Sequence, residues 1–376
     1  MDVAFVNRSL GLTRGGGEIW DLEMAEHLQE QGVDVTFYIG RPLTVDNPHP
    51  VQNVDCVEIP TPTLRNAAYA APPGIGGALA DIDNTVFVRQ VRRRLVASDH
   101  DLIQISSRPE FAGLARRLDV PMTIVMHSTP YSLWYDVLNP FQSSYELLDA
   151  FDRVIATGTT KEQIVERTQS CDVTTVDPGI DTEQFAPAES DNTGKTILFV
   201  GRLVPVKNLP LLVSAFAEIR QKHPDARLLL VGDGPLRDRI ESDIGNRNLR
   251  DAVRLVGHVE HDQIVQYYRD ADVFALSSRH ESFGMVLLEA MSCGVPVVTP
   301  PVGVAPRLID DGSNGVLYQQ GSKRCLAEAL DSLLTDRPKR DRLGERARQT
   351  AVEQFSWERQ AERLKQEYSE LIEKKD

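Results

Sequence analysis

At 376 residues the chain is too long for one ordinary hydrophobic core and comfortable for two, so two domains of about 150–200 residues are expected. With 41% apolar and 26% charged residues it has the composition of a globular protein, which excludes disordered, collagen-like and disulfide-stapled classes. The net charge of −14 excludes a nucleic-acid binder, whose affinity for phosphate backbones depends on a basic surface.

Nine of the 41 basic residues are lysines, so arginine dominates; an acidic, lysine-poor surface fits a salt-loving host, and a GC-rich genome gives the same tilt. Every long apolar stretch stops short of the roughly 18 residues that a membrane helix needs, and Met1–Phe5 carries no basic leader, so a cytoplasmic protein is expected. Cys56, Cys171, Cys293 and Cys325 form no CxxC pair and read as free thiols.

In chain order, Met1–Asn7 reads as a buried strand, followed by a loop from Arg8 to Gly17 that holds Gly15, Gly16 and Gly17. A helix from Glu18 to Gln31 follows, with Trp20, Met24, His27 and Leu28 at helical spacing, and then a strand over Val33–Ile39. Arg65–Ala80, rich in Ala, Pro and Gly, reads as a mobile loop. Residues 86–95 form a basic amphipathic stretch, with Arg89, Arg92, Arg93 and Arg94 beside Val86, Phe87, Val91 and Leu95. It reads as a solvated helix face, or as a contact with anionic lipid.

The opening order then returns: strand Thr196–Val200, loop Gly201–Asn208, helix Leu209–Lys222, strand Ala226–Val231. Two such strand–loop–helix–strand units imply two doubly wound parallel sheets, with the polar, Pro- and Gly-bearing Ala186–Gly194 as the linker. The expected division is 1–188, joined by a terminal helix over 357–376, and 189–356. That helix follows Ser356 and repeats Trp357, Ala361, Leu364, Tyr368 and Leu371 on one face.

Ligands of such sheets bind beyond the carboxyl ends of the strands. The glycine run ahead of the first helix permits close backbone approach near a helix N-terminus. Arg202 and Lys207 place two cations on one short loop and can clamp a diphosphate, Arg through its fork and Lys as a point charge. Glu281 and Glu289 stand eight apart around the start of a helix, ready to accept hydroxyl hydrogen bonds, while the first-turn amides of Phe283, Gly284 and Met285 can receive phosphate oxygens.

In G-R-L-x-x-x-K-N (201–208), V-G-D-G-P (231–235), E-x7-E (281–289), V-P-V-V-T (295–299), the N-terminal glycines with Glu18, and His127 in V-M-H-S-T-P, the sequence resembles the retaining glycosyltransferases of family 4 along nearly its whole length. The resemblance implies a GT-B fold: two Rossmann-like parallel-sheet domains facing a central cleft, with the terminal helix crossing back to the first. It implies that Arg202 and Lys207 hold the donor diphosphate, that Glu281 contacts the donor sugar, and that Glu289 bonds the ribose. Backbone of Phe283, Gly284, Met285 and Val286 would complete the sugar and phosphate contacts, Gly16 and Gly17 would approach the phosphate, Gly257, His258 and Val259 would flank the base, and His127 would sit at the reaction centre.

The implied reaction is transfer of a sugar, with retention, from a nucleotide-diphosphate donor (UDP- or GDP-hexose) to a hydroxyl acceptor, with domain closure over the donor. No D-x-D-type metal motif lies near the site loops, so no metal and no cofactor are expected. A nucleotide-sugar epimerase or hydrolase of the same fold, or a non-catalytic binding subunit, is the alternative. Acceptor, donor base, linkage and oligomeric state carry no code in the sequence.

Overall fold

The computed structural model describes residues 1–11, 16–42, 51, 54–61, 85–127, 145–168, 170–188 and 195–375. These divide into two compact units, Met1–Gly179 with Trp357–Asp376 and Ile180–Ser356.

The first unit is built on seven parallel strands in the order β3-β2-β1-β4-β5-β6-β7. They are β1 (Asp2–Asn7), β2 (Asp34–Pro42), β3 (Asp55–Thr61), β4 (Leu102–Ser106), β5 (Met122–Met126), β6 (Arg153–Ala156) and β7 (Val173–Thr175). Its helices are α1 (Gly16–Glu30), α2 over 85–95, and the short α3 (Ala112–Ala115) and α4 (Thr160–Val165). The central strands are buried on both faces, as parallel strands covered by helices must be, and successive residues part to opposite sides. Val3 and Phe5 join a core with α1, while Ala4 and Val6 join one with α2.

In α2 the apolar residues Phe87, Val91 and Leu95 are buried in that second core, and Arg89, Arg92, Arg93 and Arg94 are exposed. The apolar half of this amphipathic stretch is therefore already covered. The proposed loop over Arg65–Ala80 lies outside the described residues.

The second unit carries six parallel strands in the order β10-β9-β8-β11-β12-β13. They are β8 (Thr196–Val200), β9 (Arg227–Val231), β10 (Val253–Gly257), β11 (Val273–Ala275), β12 (Val297–Thr299) and β13 (Val316–Leu317). Its helices are α5 (Leu209–Lys222), α6 (Arg237–Asn246), α7 (His261–Arg269), α8 (Met285–Ser292), α9 (Ala305–Leu308), α10 (Lys323–Thr335) and α11 (Arg337–Phe355). β8 and α5 have the bounds read from the sequence.

The division differs from the expected one by nine residues. Residues 180–188 pack with the second unit because its arginines take their carbonyls: Arg269 donates to Ala186 O at 2.8 Å and Gln184 O at 3.1 Å, and Arg348 donates to Phe185 O at 3.3 Å. Ile180 and Phe185 are buried in its core, and Ile180 N bonds Phe355 O at 2.8 Å. Of the expected linker, 189–194 lies outside the described residues.

The last helix, α12 (Trp357–Lys375), belongs to the first unit. Trp357, Ala361, Leu364, Tyr368 and Leu371 are all buried in the core shared with α1. Polar bonds fix its register on the sheet: Thr174 Oγ1 donates to Glu367 Oε1 at 2.8 Å, Gln360 Oε1 accepts Asp177 N at 3.1 Å, and the Tyr368 hydroxyl donates to Gln104. Arg153 of β6 is held between Asp172 at 2.9 Å, Glu370 at 3.2 Å and Glu367. Because Leu364 is fully buried, Leu364→Ala is expected to destabilise the first unit by about 2–5 kcal/mol in urea unfolding; a loss under ~1 kcal/mol would contradict this docking.

Candidate functional site

In the second unit the loops after β8 and β11 are stitched together at the carboxyl end of the sheet. Ser277 Oγ donates to Lys207 O and Arg279 N to Val206 O, both at 2.8 Å. The loop after β9 joins them, for Leu203 N bonds Asp233 O at 2.9 Å and a Cβ on Gly232 would stand 2.1 Å from Gly201 O. With φ of +125°, this position in V-G-D-G-P accepts glycine alone.

These bonds bring Lys207 and Glu281 face to face. Lys207 Nζ donates to Glu281 Oε1 at 2.6 Å and Oε2 at 2.8 Å, and Ser278 Oγ also donates to Oε1. The carboxylate is buried and the lysine side chain is 16% exposed, so the pair is largely withdrawn from water. The resemblance assigns each residue a separate role, and the structure brings the two into contact. Arg202 stands exposed on the same loop, and its guanidinium makes no ion pair among the described residues.

Gly284, with φ of +105°, caps α8, so the first-turn amides of Met285 and Val286 lack partners one turn earlier in the helix and can meet an anion. Phe283 beside them is buried. Gly303, which the sequence reading passed over, permits this approach: a Cβ there would lie 2.7 Å from Phe283 O and 2.8 Å from Glu281 Cβ.

Glu289 falls one turn into α8, because the helix begins at Met285. It is buried, its Oε2 accepts the Tyr268 hydroxyl at 2.5 Å, and burial raises its carboxyl above the usual range. It is therefore no solvated helix charge. Gly257 ends β10 with φ of +91°; the His258 side chain is exposed, 3.3 Å from Glu260, and Val259 packs partly against the core.

In the first unit, α1 starts at Gly16, so Gly16 and Gly17 form its first turn and do not belong to a loop ending at Gly17 as expected. Gly15 lies outside the described residues. His127 follows β5, and its ring centroid lies 5.4 Å from that of Trp20 in an edge arrangement. A Cβ on Gly17 would fall 2.8 Å from His127 Cδ2, which is why a side chain is missing there. Burial pushes the imidazole down to about 4, against a smaller upward pull from Glu18. Its Nε2 is buried without a partner among the described residues, and the ring is neutral at pH 7.

Residues 14–184 match the model of Glycosyltransferase Family 4, and residues 180–350 that of glycosyl transferases group 1. A D-inositol 3-phosphate glycosyltransferase of Corynebacterium jeikeium is 32% identical over 95% of this chain and 92% of its own length. Another, from Kineococcus radiotolerans, is 29% identical over 95% of this chain and 91% of its own. Among solved structures, sucrose-phosphate synthase of Thermosynechococcus elongatus aligns with a TM-score of 0.73 at 23% identity over 99% of both chains. Anabaena HepE, solved in complex with UDP, aligns at 0.75 with 21% identity over 98% of this chain and 100% of that one. At those identities the structures speak for the fold, which is GT-B.

Lys207→Met strands the buried Glu281 charge and is expected to cost about 1–3 kcal/mol in thermal unfolding, less than a fully buried pair because Lys207 keeps some solvent. The double variant Lys207→Met/Glu281→Met should recover most of that loss. Additive losses would contradict the pairing.

Proposed function

This chain belongs to the family 4 glycosyltransferases, and from that membership we propose that it transfers a hexose from a nucleotide-diphosphate donor to a hydroxyl acceptor with retention at the anomeric carbon. The observation that carries the reading is the buried Lys207–Glu281 pair beside the open first turn of α8, with Arg202 exposed on the same loop. In the reaction the acceptor oxygen bonds the anomeric carbon, the bond from that carbon to the β-phosphate oxygen breaks, and the acceptor proton passes to the departing phosphate. Arg202, Lys207 and the amides of Met285 and Val286 stabilise the charge that grows on the leaving group.

Glu281 fixes the Lys207 ammonium and keeps lone pairs free for a sugar hydroxyl. Glu289, through its Tyr268 bond, offers a positioned carboxyl to the ribose, and the backbone of Gly257–Val259 flanks the base. In the first unit the neutral His127 exchanges hydrogen bonds with the reacting sugar at Nε2, and Gly16 and Gly17 leave room for phosphate. Attack follows the face of the leaving group without a covalent enzyme intermediate, and the cations and amides do the work without a metal ion.

HepE's complex with UDP supports a UDP-linked hexose ahead of a GDP-linked one, and the two relatives named for D-inositol 3-phosphate support a small polyhydroxylated acceptor. Contact with an anionic membrane would run through the exposed arginines of α2 by charge alone, since the apolar side of that helix is buried. The acid-rich, lysine-poor composition supports activity that survives high salt.

Lys207→Ala and Glu281→Ala are each expected to lower transfer from a UDP- or GDP-hexose by roughly a hundredfold or more, with EDTA leaving the wild-type rate unchanged. Turnover near the wild-type level in either variant, measured by nucleoside diphosphate release with acceptor, would overturn the assignment.

A further inference from the structure

We propose that Asp21 is a positioning residue for His127: its carboxyl, held at the carboxyl ends of β1 and β4, sets where the first turn of α1 stands and so how Gly17 and Trp20 confine the imidazole. The inference rests on the reading that His127 acts at the reacting sugar.

Asp21 is fully buried on α1, among Trp20, Met24 and Ala25. Its Oδ2 accepts the Asn7 amide and the Ser106 hydroxyl, each at 2.6 Å, so one oxygen ties α1 to the last residues of β1 and β4. Asn7 in turn takes the backbone amides of Ser9 at 2.9 Å and Leu10 at 3.1 Å, which hangs the loop leaving β1 on the same node. Gly17 lies four residues before Asp21, one turn along the same helix face, and Trp20 is its neighbour. Trp20 lies edge-on to the His127 ring, and Gly17 stands where a Cβ would meet that ring. A shift in the phase of α1 about Asp21 is therefore transmitted to His127 from two sides.

A carboxyl is a costly way to fill this place, since an apolar side chain would pack with no desolvation penalty. Its second oxygen, Oδ1, is buried with no partner among the described residues. The titratable groups that face it are Glu18 on α1 and Tyr368 on α12, while β1 and β4 present the neutral Asn7 and Ser106. With no cation among them, burial pushes the carboxyl up to about 7, helped by Glu18 and opposed by the two hydrogen bonds.

Ionised, Asp21 receives charge-assisted bonds; protonated, it holds the same donors less strongly, so the clamp relaxes as the pH falls through neutrality. The sign for stability is opposite. The folded-state value lies above the ordinary 3.8, so this group's contribution is complete below about 4 and is lost as the pH rises to about 7.

The test compares wild type, Asp21→Ala and the isosteric Asp21→Asn in two measurements: imidazole nitrogen NMR of His127 against pH, and kcat and KM for the donor against pH. In Asp21→Ala the His127 titration is expected to move from about 4 toward its ordinary 6.5, with kcat reduced roughly ten- to hundredfold and donor KM within about twofold of wild type. Asp21→Asn, a neutral acceptor as protonated Asp21 is, is expected to keep the His127 titration low and to hold kcat, at every pH, at the level that wild type reaches below neutrality.

A folded Asp21→Ala with unchanged His127 titration and kcat would overturn the proposal. If Asp21→Ala does not fold, an Asp21→Asn protein with the wild-type pH profile overturns it instead. Absence of transfer in the wild type would sink the transfer reading separately, because the His127 titration reports on Asp21 without turnover.

Discussion

An ammonium and a carboxylate held at 2.6 and 2.8 Å where little water reaches them are the constraint around which the second unit is arranged. Burying such a pair repays its desolvation only if the geometry is fixed by further hydrogen bonds. The second unit supplies them: Ser278 on the carboxylate, Ser277 and Arg279 on the backbone of the lysine's loop, and Leu203 of that loop on the Asp233 carbonyl after β9. Three loops from three adjacent strands thereby become one rigid surface. A parallel sheet puts all of those loops at one end, which is why binding groups from residues 202 to 289 can share it.

The charge arithmetic at that surface sharpens the reading of the whole chain. A net charge of −14 argues against anionic polymers, yet a small dianion needs only a local excess of positive charge. Lys207 is neutralised by Glu281 until a ligand arrives, and Arg202 and the helix amides carry the standing attraction. A paired lysine is also a preorganised one: its side-chain entropy is already spent, so little remains to be lost when a phosphate binds.

Much of this was legible in the sequence, and the reason differs from element to element. β8 and α5 could be read to the residue because an apolar run ends at a glycine and the helix opens on Asn208-Leu209-Pro210, where Pro fits the first turn. The buried face of α12 was equally plain, since its five apolar positions repeat at three and four residues. The place where residues 180–188 pack was not legible, because it depends on Arg269 and Arg348 reaching carbonyls more than eighty residues away in the chain. Polar composition reads as linker wherever its partners are remote.

The site itself was legible as residue types and less so as contacts. The spacing of Lys207 and Glu281 gives no sign that they touch; nor does Glu289 announce that Tyr268 covers it. Gly303 could have been noticed as a glycine in an apolar run, and Asp21 as an acid on the helix face that carries Trp20 and Met24. The clearest test of the central claim is calorimetric titration of the intact protein with UDP and with uridine. The diphosphate is expected to bind at least about a hundredfold more tightly, since the Arg202–Lys207 loop and the α8 amides recognise phosphate and not the nucleoside. Equal affinity for the two, or binding of neither UDP nor GDP, would contradict it.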